Sequence, residues 1–398
     1  MMRKLTVVIV SYNVKDYVTQ CLLSLRRSVA DADVEVCVVD NHSHDGTVDY
    51  LRSRFPEVNL IASNHNLGFA RANNMAIRQT ESEYVLLLNP DTIVGERTIS
   101  QCLDFMEKHP AAGAVGVRML KADGSDAQES RRGLPTPAVA FYKMSGLCSR
   151  FPRSRRFGRY YMGYLSWDEA ARIEVVSGAF CLLRREALEA VGLLDEDFFM
   201  YGEDIDLSYR LLKGGYENWY LPERILHYKG ESTQKSSFRY VHVFYDAMLI
   251  FFRKHYAQAS LLLSLPVKMA IYGRAAIELV RMQVGRARRS LGFVGKRNTP
   301  SPLYVFLGRQ AHLDACRQLA ASKGLDAIYI IGDELSCPDG HLSTSVSADR
   351  QVYAVYDTDA FSFDTIFQLF SRKPQAHVGI GTYLPGENMI ITTEEILK

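Results

Sequence analysis

The first ninety residues alternate between unbroken apolar runs and segments with a helical hydrophobic period. The runs over residues 6–10 and 34–39 are apolar or β-branched at nearly every position, and not only at every second one. Such continuous strands are typical of a parallel sheet that helices cover on both faces. Further strands are predicted over 58–61 and 84–88, and the joining helices over 14–29, 47–55 and 70–80. The pattern therefore predicts an α/β fold with a mostly parallel central sheet.

Each of these four predicted strands ends in polar residues. The strand ends are, in order, Ser11-Tyr12-Asn13, Asp40-Asn41, Asn64-His65-Asn66 and Asn89-Pro90-Asp91. In open α/β sheets, ligands bind beyond the carboxyl ends of the strands. Four polar strand ends in succession therefore predict one binding site along one edge of the sheet.

Two of these strand ends carry side chains that suit particular ligands. The segment after the third strand combines amides, a guanidinium and a glycine that permits close backbone approach, which suits a ligand with a base and phosphates. Its residues are Asn66, Gly68, Arg71 and Asn73. Asp91 places a carboxylate directly after a buried strand, where it suits a hard divalent cation that also holds phosphates. A helix-capping aspartate is the alternative explanation of Asp91.

Three carboxylates lie within four positions of the later chain, at Glu203, Asp204 and Asp206. Like charges this close are costly unless a cation, a polar substrate or proton sharing relieves them. The simpler alternative is an acidic start to a helix that runs from Asp206 to Leu212, because helix N-termini favour negative charge. His227, after a short strand-like run over 218–221, is by itself more often structural than a ligand. The polar strand ends upstream favour a chemical role for the carboxylates.

Residues 301–398 repeat the alternation of strands and helices. Strands are predicted over 303–308, 327–333, 351–357 and 376–380, and helices over 312–321 and 363–370. They predict a small Rossmann-like α/β domain without the Gly-x-Gly-x-x-Gly sequence that would support nucleotide binding. An assembly or regulatory role is the default interpretation. The predicted domains are 1–256 and 301–398, joined by an amphipathic helical connector over 257–300.

Composition excludes several classes of protein. With 47% hydrophobic and 23% charged residues, the composition is that of an ordinary globular protein, and 398 residues are enough for two domains. The net charge of +2 conceals a basic front part, because from Pro302 onward seven Lys and Arg face twelve Asp and Glu. Seven cysteines without Cys-x-x-Cys spacing argue against a disulfide framework or a zinc site and favour a reducing cytoplasm. No segment has the ~20 apolar residues that span a bilayer, and no recognisable module supports nucleic-acid binding.

Two basic segments are candidates for contact with a membrane, and each has simpler alternative explanations. Five arginines, Arg150, Arg153, Arg155, Arg156 and Arg159, cluster beside aromatic residues. They fit either a solvated loop or a surface that meets anionic lipid headgroups or an acceptor pyrophosphate. Residues 257–289 place basic and apolar side chains on opposite sides of a helix, which fits a membrane interface, the protein's own core or a partner subunit. The predicted location is the cytoplasm, and the second segment favours peripheral attachment to the inner face of the cell membrane.

Taken in order, these motifs resemble the family 2 glycosyltransferases of the GT-A fold, especially the bacterial branch that includes rhamnosyltransferases. The resemblance covers residues 4–256 and consists of ordered motifs: Val8 to Asn13, Val38 to Gly46, Asn89-Pro90-Asp91, Val176 to Arg185, Glu203-Asp204 and His227. It implies a nucleotide-sugar donor whose pyrimidine faces Asp40, with Ser11 and Asn13 nearby. It also implies that Asn66, Gly68 and Asn73 line the nucleotide pocket.

The resemblance also implies roles in chemistry. Asn89-Pro90-Asp91 takes the place of the family's Asp-x-Asp metal motif, although its first carboxylate is here an amide. Asp91, together with His227, would hold Mg²⁺ or Mn²⁺ and the donor diphosphate, and Arg71 would add positive charge. Asp204 would be the base that accepts the proton of the acceptor hydroxyl in inverting transfer, and Glu203 would orient the acceptor or tune the base.

The donor and acceptor are implied less directly. Residues 128–137 are similar to a segment common in rhamnosyltransferase-like members, which favours dTDP-L-rhamnose, with UDP-hexose as the alternative donor. The acceptor would be a glycan or a lipid-linked saccharide in cell-surface polysaccharide synthesis. One rival is a sugar nucleotidyltransferase, but the Gly-rich basic loop of that class does not follow the first strand here. The other rival is a catalytically silent glycan-binding scaffold.

Overall fold

The computed structural model describes residues 3–29, 33–228, 238–256, 283–284, 301–344 and 349–398. Within these ranges, one sheet of nine strands and one of six form the framework of the protein. The predicted connector over 257–300 lies outside the described residues, apart from 283–284. Among the helices of these ranges, none combines the length and the apolar character that crossing a bilayer requires.

The larger sheet occupies the first part of the chain. Its strands are β1 (Arg3–Ser11), β2 (Val34–Asp40), β3 (Asn59–Ala62), β4 (Ser82–Leu88), β5 (Thr92–Val94), β6 (Ala112–Leu120), β7 (Ala171–Ile173), β8 (Phe180–Arg184) and β9 (Glu217–His227). The accompanying helices are α1 (Lys15–Ser28), α2 (Thr47–Arg54), α3 (Phe69–Ile77), α4 (Thr98–Lys108), α5 (Pro137–Met144), α6 (Leu147–Arg150), α7 (Arg185–Val191), α8 (Glu203–Lys213) and α9 (Phe238–His255).

The strands of this sheet are ordered β3-β2-β1-β4-β8-β6-β9-β5, and β7 also pairs with β9. β3, β2, β1 and β4 are parallel to one another, and β6 and β9 share their direction, because β8 lies antiparallel to both β4 and β6. The predicted α/β class with a mostly parallel sheet is therefore confirmed. The four strands predicted from unbroken apolar runs form one half of this sheet.

The pairing register brings the polar strand ends to one edge. Ser11 at the end of β1 pairs with Asp40 at the end of β2, and Asp40 pairs with Ala62 at the end of β3. Ile9 of β1 pairs with Leu88, the last residue of β4. Because parallel strands end at the same edge, the residues after β1, β2 and β4 line one rim of the sheet.

Two predicted boundaries were wrong. The acidic segment does not precede a helix that starts at Asp206, because α8 begins at Glu203 itself. Gly202 permits this start, since its φ of 88° is a left-handed conformation that suits glycine. The short run over 218–221 belongs to the eleven-residue strand β9, so His227 is the last residue of a long strand.

The second sheet is built by the last hundred residues. Its strands are β10 (Leu303–Gly308), β11 (Asp326–Ile331), β12 (Val352–Asp357), β13 (Val378–Leu384), β14 (Met389–Ile391) and β15 (Ile396–Leu397), with helices α10 (Gln310–Lys323) and α11 (Phe363–Arg372). The order is β11-β10-β12-β13-β14-β15, in which the first four strands are parallel. The Rossmann-like pattern predicted there is present, and the antiparallel β14 and β15 extend it.

The two sheets share an apolar core. Val14, Ile93 and Leu226 of the first part pack in one cluster with Phe363 and Phe367 of α11. Hydrogen bonds cross the same boundary, from Ile380 N–H to the Ala122 carbonyl at 2.7 Å and from Gln20 Nε2 to Thr382 Oγ1 at 2.5 Å. Glu96 accepts the first two backbone N–H groups of α11, both at 2.9 Å, and so caps that helix. The second sheet therefore supports α1, which begins just after the first polar strand end.

Candidate active site

Ser11 and Asp40 form a buried polar pair at the ends of neighbouring strands. Both side chains are almost fully inaccessible to solvent. Asp40 accepts a hydrogen bond from the Ser43 N–H at 2.9 Å through Oδ1. Its Oδ2 and the Ser11 hydroxyl oxygen are buried with no hydrogen-bond partner among the described residues. Because buried polar atoms are normally hydrogen-bonded, this acceptor and this hydroxyl are suited to the polar edge of a ligand.

Asn13 organises the loop that follows Asp40. Its φ of 54° is left-handed, a conformation that asparagine adopts more readily than most residues. The Asn13 N–H donates to Ser43 Oγ at 2.8 Å, and its side-chain oxygen accepts the His44 N–H at 2.7 Å. The predicted donor-binding residue Asn13 therefore acts on the loop itself in this structure.

The loop that includes Asn66 and Gly68 is fixed to the segment before α8. The Asn66 side-chain oxygen accepts from Asn41 Nδ2 and from the Gly68 N–H, each at 3.0 Å. Gly68 has a φ of 79°, and a Cβ there would lie 2.3 Å from the Phe199 carbonyl oxygen. The next residue, Phe69, donates its N–H to that same oxygen at 2.8 Å. Glycine is thus required at position 68 because the backbone of residue 199 approaches so closely.

Asn73 and Arg71 lie on α3 and make structural contacts. Asn73 Nδ2 donates to the Phe69 carbonyl at 2.9 Å within the first turn of the helix. The Arg71 guanidinium is 60% exposed and lies 3.5 Å from Glu196. Arg71 therefore points toward an acidic partner on the surface of α3, and the positive charge predicted for the site is partly compensated there.

Asn89, Asp91 and His227 come together at the end of β4. The pairing of Thr92 in β5 with His227 in β9 brings the imidazole beside the preceding Asp91. His227 Nε2 lies 3.3 Å from Asp91 Oδ1 and 3.3 Å from Asn89 Nδ2. His227 Nδ1 is buried without a hydrogen-bond partner among the described residues, and the Asp91 side chain is only 4% exposed.

This cluster has the chemistry of a divalent-cation site. One carboxylate, one imidazole and one amide oxygen are ligands for Mg²⁺ or Mn²⁺, which leave further positions for water and phosphate oxygens. A small rotation of the imidazole would direct a ring nitrogen toward a cation. Because Nδ1 has no hydrogen-bond partner among the described residues, such a rotation breaks no hydrogen bond at that nitrogen. The residues present therefore fit a metal ion.

Asp204 is held by an arginine from a distant part of the chain. Its Oδ2 forms an ion pair with Arg132 and also accepts the Gly178 N–H at 3.2 Å, while Oδ1 accepts its neighbour's N–H at 2.8 Å. Both charged side chains are largely buried. From the sequence, Arg132 is identified only as part of the segment 128–137, and this role is not predicted. The available signal was the expectation that a buried arginine needs a carboxylate partner.

One loop, residues 177–179, connects the two halves of the site. The Asn89 N–H donates to the Ala179 carbonyl at 3.0 Å, and the adjacent Gly178 N–H donates to Asp204. A Cβ built on Gly178 would touch the Phe69 ring at 3.5 Å and the Asp204 Cβ at 3.6 Å. Three parts of the site therefore meet around Gly178: the cluster that contains Asn89, the loop after Gly68, and Asp204. They lie at the edge of the sheet where the polar strand ends predict a binding site.

Glu203, the neighbour of Asp204, is a buried carboxyl group. It is 6% exposed, and its Oε2 has no hydrogen-bond partner among the described residues. Burial, reinforced by the nearby charge of Asp204, raises the pKa of Glu203 from 4.5 to about 8. The raised pKa favours the protonated form of Glu203 at neutral pH.

Comparison with known proteins decides the family. The model of the family described as Glycosyl transferase family 2 matches residues 6–192. The N-acetylglucosaminyl-diphospho-decaprenol L-rhamnosyltransferase of Mycobacterium tuberculosis is 30% identical over 301 residues, which cover 72% of this chain and 95% of that protein. The chain belongs to glycosyltransferase family 2. The predicted resemblance to rhamnosyltransferase-like members of the GT-A fold is confirmed.

Other similar glycosyltransferases are more distant. The low-salt glycan biosynthesis hexosyltransferase Agl10 of Haloferax volcanii is 27% identical over 214 residues, which cover 53% of this chain and 62% of that protein. Among solved structures, the mannosyltransferase PcManGT from Pyrobaculum calidifontis, in complex with GDP-Man and Mn2+, matches with a TM-score of 0.43 and 19% identity over 72% of this chain and 80% of that one. The family makes this protein a nucleotide-sugar glycosyltransferase.

The raised pKa of Glu203 predicts a pH-dependent stability of this glycosyltransferase. Between pH 4.5 and about 8 the folded protein keeps a proton that the unfolded chain has released, so the contribution of Glu203 to stability falls as the pH rises through this window. Glu203→Gln removes that loss. We expect its free energy of unfolding, relative to wild type, to be higher at about pH 8.5 than at about pH 5.5 by about 3 kcal/mol.

Urea unfolding at the two pH values measures this difference. Glu186→Gln is the matched control, because Glu186 is an exposed acid in the first turn of α7. The control should shift stability equally at both pH values. A Glu203→Gln variant whose stability parallels wild type across the window would show that Glu203 is ionised in the folded protein.

Proposed function

We propose that this protein is an inverting glycosyltransferase that moves L-rhamnose from dTDP-L-rhamnose to a hydroxyl of a lipid-linked saccharide in cell-surface polysaccharide synthesis. The observation that carries the proposal is the meeting of the Asn89–Asp91–His227 cluster and Asp204 around the loop 177–179. The sugar and acceptor class rest on the relative whose name states rhamnosyl transfer to an N-acetylglucosaminyl-diphospho-decaprenol.

In this proposal, Ser11 and Asp40 hold the pyrimidine of the donor. The thymine N3–H donates to Asp40 Oδ2, which has no partner among the described residues, and the Ser11 hydroxyl contacts a neighbouring carbonyl of the base. A buried acceptor left unpaired is costly, so the pairing with the base supplies affinity. Asn13, Asn66, Gly68 and Asn73 keep the surrounding loops in place. Uracil presents the same edge, so UDP-hexose is the second candidate donor.

Asp91 and His227, with the Asn89 amide, would hold Mg²⁺ or Mn²⁺ between the protein and the donor diphosphate. The ion would neutralise the negative charge that builds on the leaving diphosphate. Asp91 supplies the single carboxylate of the cluster, because Asn89 is neutral. Arg71, engaged with Glu196 on α3, has a smaller part in this scheme.

Asp204 would be the catalytic base. The acceptor oxygen attacks the anomeric carbon, the bond from that carbon to the diphosphate breaks on the opposite side, and the hydroxyl proton passes to a carboxylate oxygen of Asp204. Arg132 and the Gly178 N–H hold the Asp204 carboxylate in one orientation, which a positioned base requires. The raised pKa of the neighbouring Glu203 favours its neutral form, which limits the negative charge beside the base.

We further propose that residues 1–256 are the catalytic domain, that 257–300 are a connector, and that 301–398 form an assembly domain that packs against α1 and holds it in place. Two contacts support this role, since Lys398 pairs with Asp16 at 2.5 Å and Arg27 donates to the Thr358 carbonyl at 2.5 Å. Both Asp16 and Arg27 belong to α1, whose start follows Asn13.

The test is a transfer assay with defined donors. The purified protein is incubated with Mg²⁺, a polyprenyl-diphosphate N-acetylglucosamine acceptor and either dTDP-L-rhamnose or a UDP-hexose, and the lipid product is identified by mass spectrometry. We expect addition of one deoxyhexose from dTDP-L-rhamnose, and no addition after EDTA. Addition of a hexose from a UDP donor would favour the second candidate. Donor binding without hydrolysis or transfer to any acceptor would favour a non-catalytic scaffold.

A further inference from the structure

Residues 137–167, here called the basic-aromatic segment, have an unusual composition. These 31 residues contain one lysine, five arginines and eight aromatic residues, and neither aspartate nor glutamate. The segment includes α5 and α6 and lies between Arg132 and β7 in the sequence. Chains of ordinary composition carry about as many acidic as basic residues, so this segment is a concentrated positive surface.

Three large apolar side chains project from this segment into solvent. Phe141 is 61% exposed, Met144 52% and Phe151 48%. Phe141 and Met144 lie on α5, one turn apart, and Phe151 directly follows α6. Large apolar side chains that project together from a basic surface are typical of proteins that insert side chains into the interfacial layer of a membrane.

Four exposed arginines of the same segment have no carboxylate partner among the described residues. Arg156 Nε donates to the Tyr142 hydroxyl at 3.2 Å, and the Arg155 guanidinium lies 5.6 Å from the centre of the Tyr164 ring. Arg150 and Arg153 are also exposed. By contrast, Arg159 at the far end of the cluster pairs with Glu174. The charge of Arg150, Arg153, Arg155 and Arg156 is thus available to an external anion.

We propose that the basic-aromatic segment docks the protein on an anionic phospholipid bilayer. Phe141, Met144 and Phe151 would enter the headgroup region, and the four arginines would contact lipid phosphates. Charge complementarity selects an anionic bilayer, and the three exposed apolar side chains select a bilayer over a water-soluble polyanion, which offers no apolar layer.

The segment lies beside the candidate base. The Gly133 N–H donates to the Tyr160 carbonyl at 3.0 Å, and the preceding residue, Arg132, pairs with Asp204. Lys143 of α5 lies over the Tyr160 ring at 3.4 Å, so α5 also packs against Tyr160. A bilayer held by this segment would therefore present the head of a lipid-linked acceptor next to Asp204. This last step rests on the proposed function, whereas the docking itself does not.

Vesicle flotation tests the docking. The full chain is mixed with vesicles of phosphatidylglycerol and phosphatidylcholine or of phosphatidylcholine alone, at low salt and in about 0.5 M NaCl. We expect binding only to the anionic vesicles, weakened by salt. A variant with Arg150, Arg153, Arg155 and Arg156 changed to Gln should bind about 100-fold more weakly, and one with Phe141, Met144 and Phe151 changed to Ser about tenfold or more.

Matched controls separate this surface from others. One control changes four exposed arginines elsewhere, Arg52, Arg172, Arg317 and Arg372, to Gln. The other changes the exposed Ile328, Ile331 and Leu335 to Ser. Thermal unfolding confirms that each variant is folded. Wild-type vesicle binding by both segment variants, or binding to soluble heparin but not to vesicles, would overturn the proposal.

A catalytic arm distinguishes this inference from the proposed function. The segment variants should keep wild-type transfer to a detergent-soluble acceptor with a short lipid and lose transfer to a long-chain acceptor embedded in anionic vesicles. If wild type transfers sugar to both acceptors and the variants do the same, the docking surface is wrong although the transferase activity stands. If wild type binds vesicles through this segment but transfers no sugar, docking stands and the proposed function fails.

Discussion

Asp204→Asn should lower kcat by about 10³-fold while the affinity for the nucleotide-sugar donor stays unchanged, since a positioned general base contributes roughly 10²- to 10⁴-fold. Asparagine keeps an oxygen that can accept the Gly178 N–H and the Arg132 guanidinium, but it removes the charge that pairs with buried Arg132, so thermal unfolding is used to confirm that the variant is folded. It cannot take up the acceptor proton. The transfer rate at saturating donor and acceptor, together with donor affinity by calorimetry, measures both parts of the prediction.

Asp197→Asn is the matched control, because Asp197 precedes α8 in the same segment but is 63% exposed and pairs with Lys254. It should turn over like wild type. If the Asp204→Asn variant retains more than about a tenth of wild-type kcat, another group accepts the proton and the assignment of the base is wrong.

Asp91→Asn should be nearly as damaging, for a different reason. It replaces the carboxylate that lies 3.3 Å from His227 with a neutral amide, and Asn89 offers no compensating charge. We expect kcat to fall by about 10²- to 10³-fold, as when stabilisation of the leaving-group charge is lost. A mass-spectrometric or colorimetric assay of nucleoside diphosphate release, across a titration of Mn²⁺, measures the effect.

The metal dependence of this variant is the critical part. Asp91→Asn should require a much higher Mn²⁺ concentration for half-maximal activity, whereas Asp204→Asn should not change that concentration. Asp314→Asn serves as the substitution control, because Asp314 is an exposed residue of α10 that pairs with Arg317. An Asp91→Asn variant with normal metal dependence would place the cation elsewhere in the protein.

The front half of the larger sheet could be predicted because its strands are continuous apolar runs with polar ends. β6 (Ala112–Leu120) was missed for a physical reason. It is buried at every position, but it contains Gly113 and Gly116, which break the strand signal. Those glycines are required by tertiary contacts, since a Cβ on Gly113 would meet Tyr216 at 2.8 Å and one on Gly116 would meet Val176 at 2.9 Å. Such contacts are invisible in a local pattern.

The candidate site was predictable where its residues end consecutive strands. Asp40 and Asp91 follow strands that the pattern identifies, and His227 was found only through the resemblance. Arg132 lies 72 residues from Asp204, and no local pattern connects them. The burial and protonation of Glu203 likewise depend on packing around α8, which sequence spacing does not reveal. Contacts between distant segments decide what each side chain does.

The contact between the two sheets could not be predicted from the sequence. The strands of the second sheet were predicted individually, but the hydrogen bonds that join Gln20 to Thr382 and Ala122 to Ile380 depend on how two finished surfaces match. Neither glutamine nor threonine in these positions signals such a contact by itself. The shared core is therefore a finding of the structure.

The position of the metal ion and the diphosphate relative to Asp204 is the decisive test of the proposed mechanism. Crystals grown with Mn²⁺ and dTDP, measured at the manganese absorption edge, locate the ion by its anomalous signal. We expect a peak bonded to Asp91 and His227, with the diphosphate between that peak and Asp204 and the thymine against Asp40. A peak at His312, Asp357 and Asp359, the other cluster of potential ligands among the described residues, would contradict it. So would a nucleotide whose diphosphate lies away from Asp204.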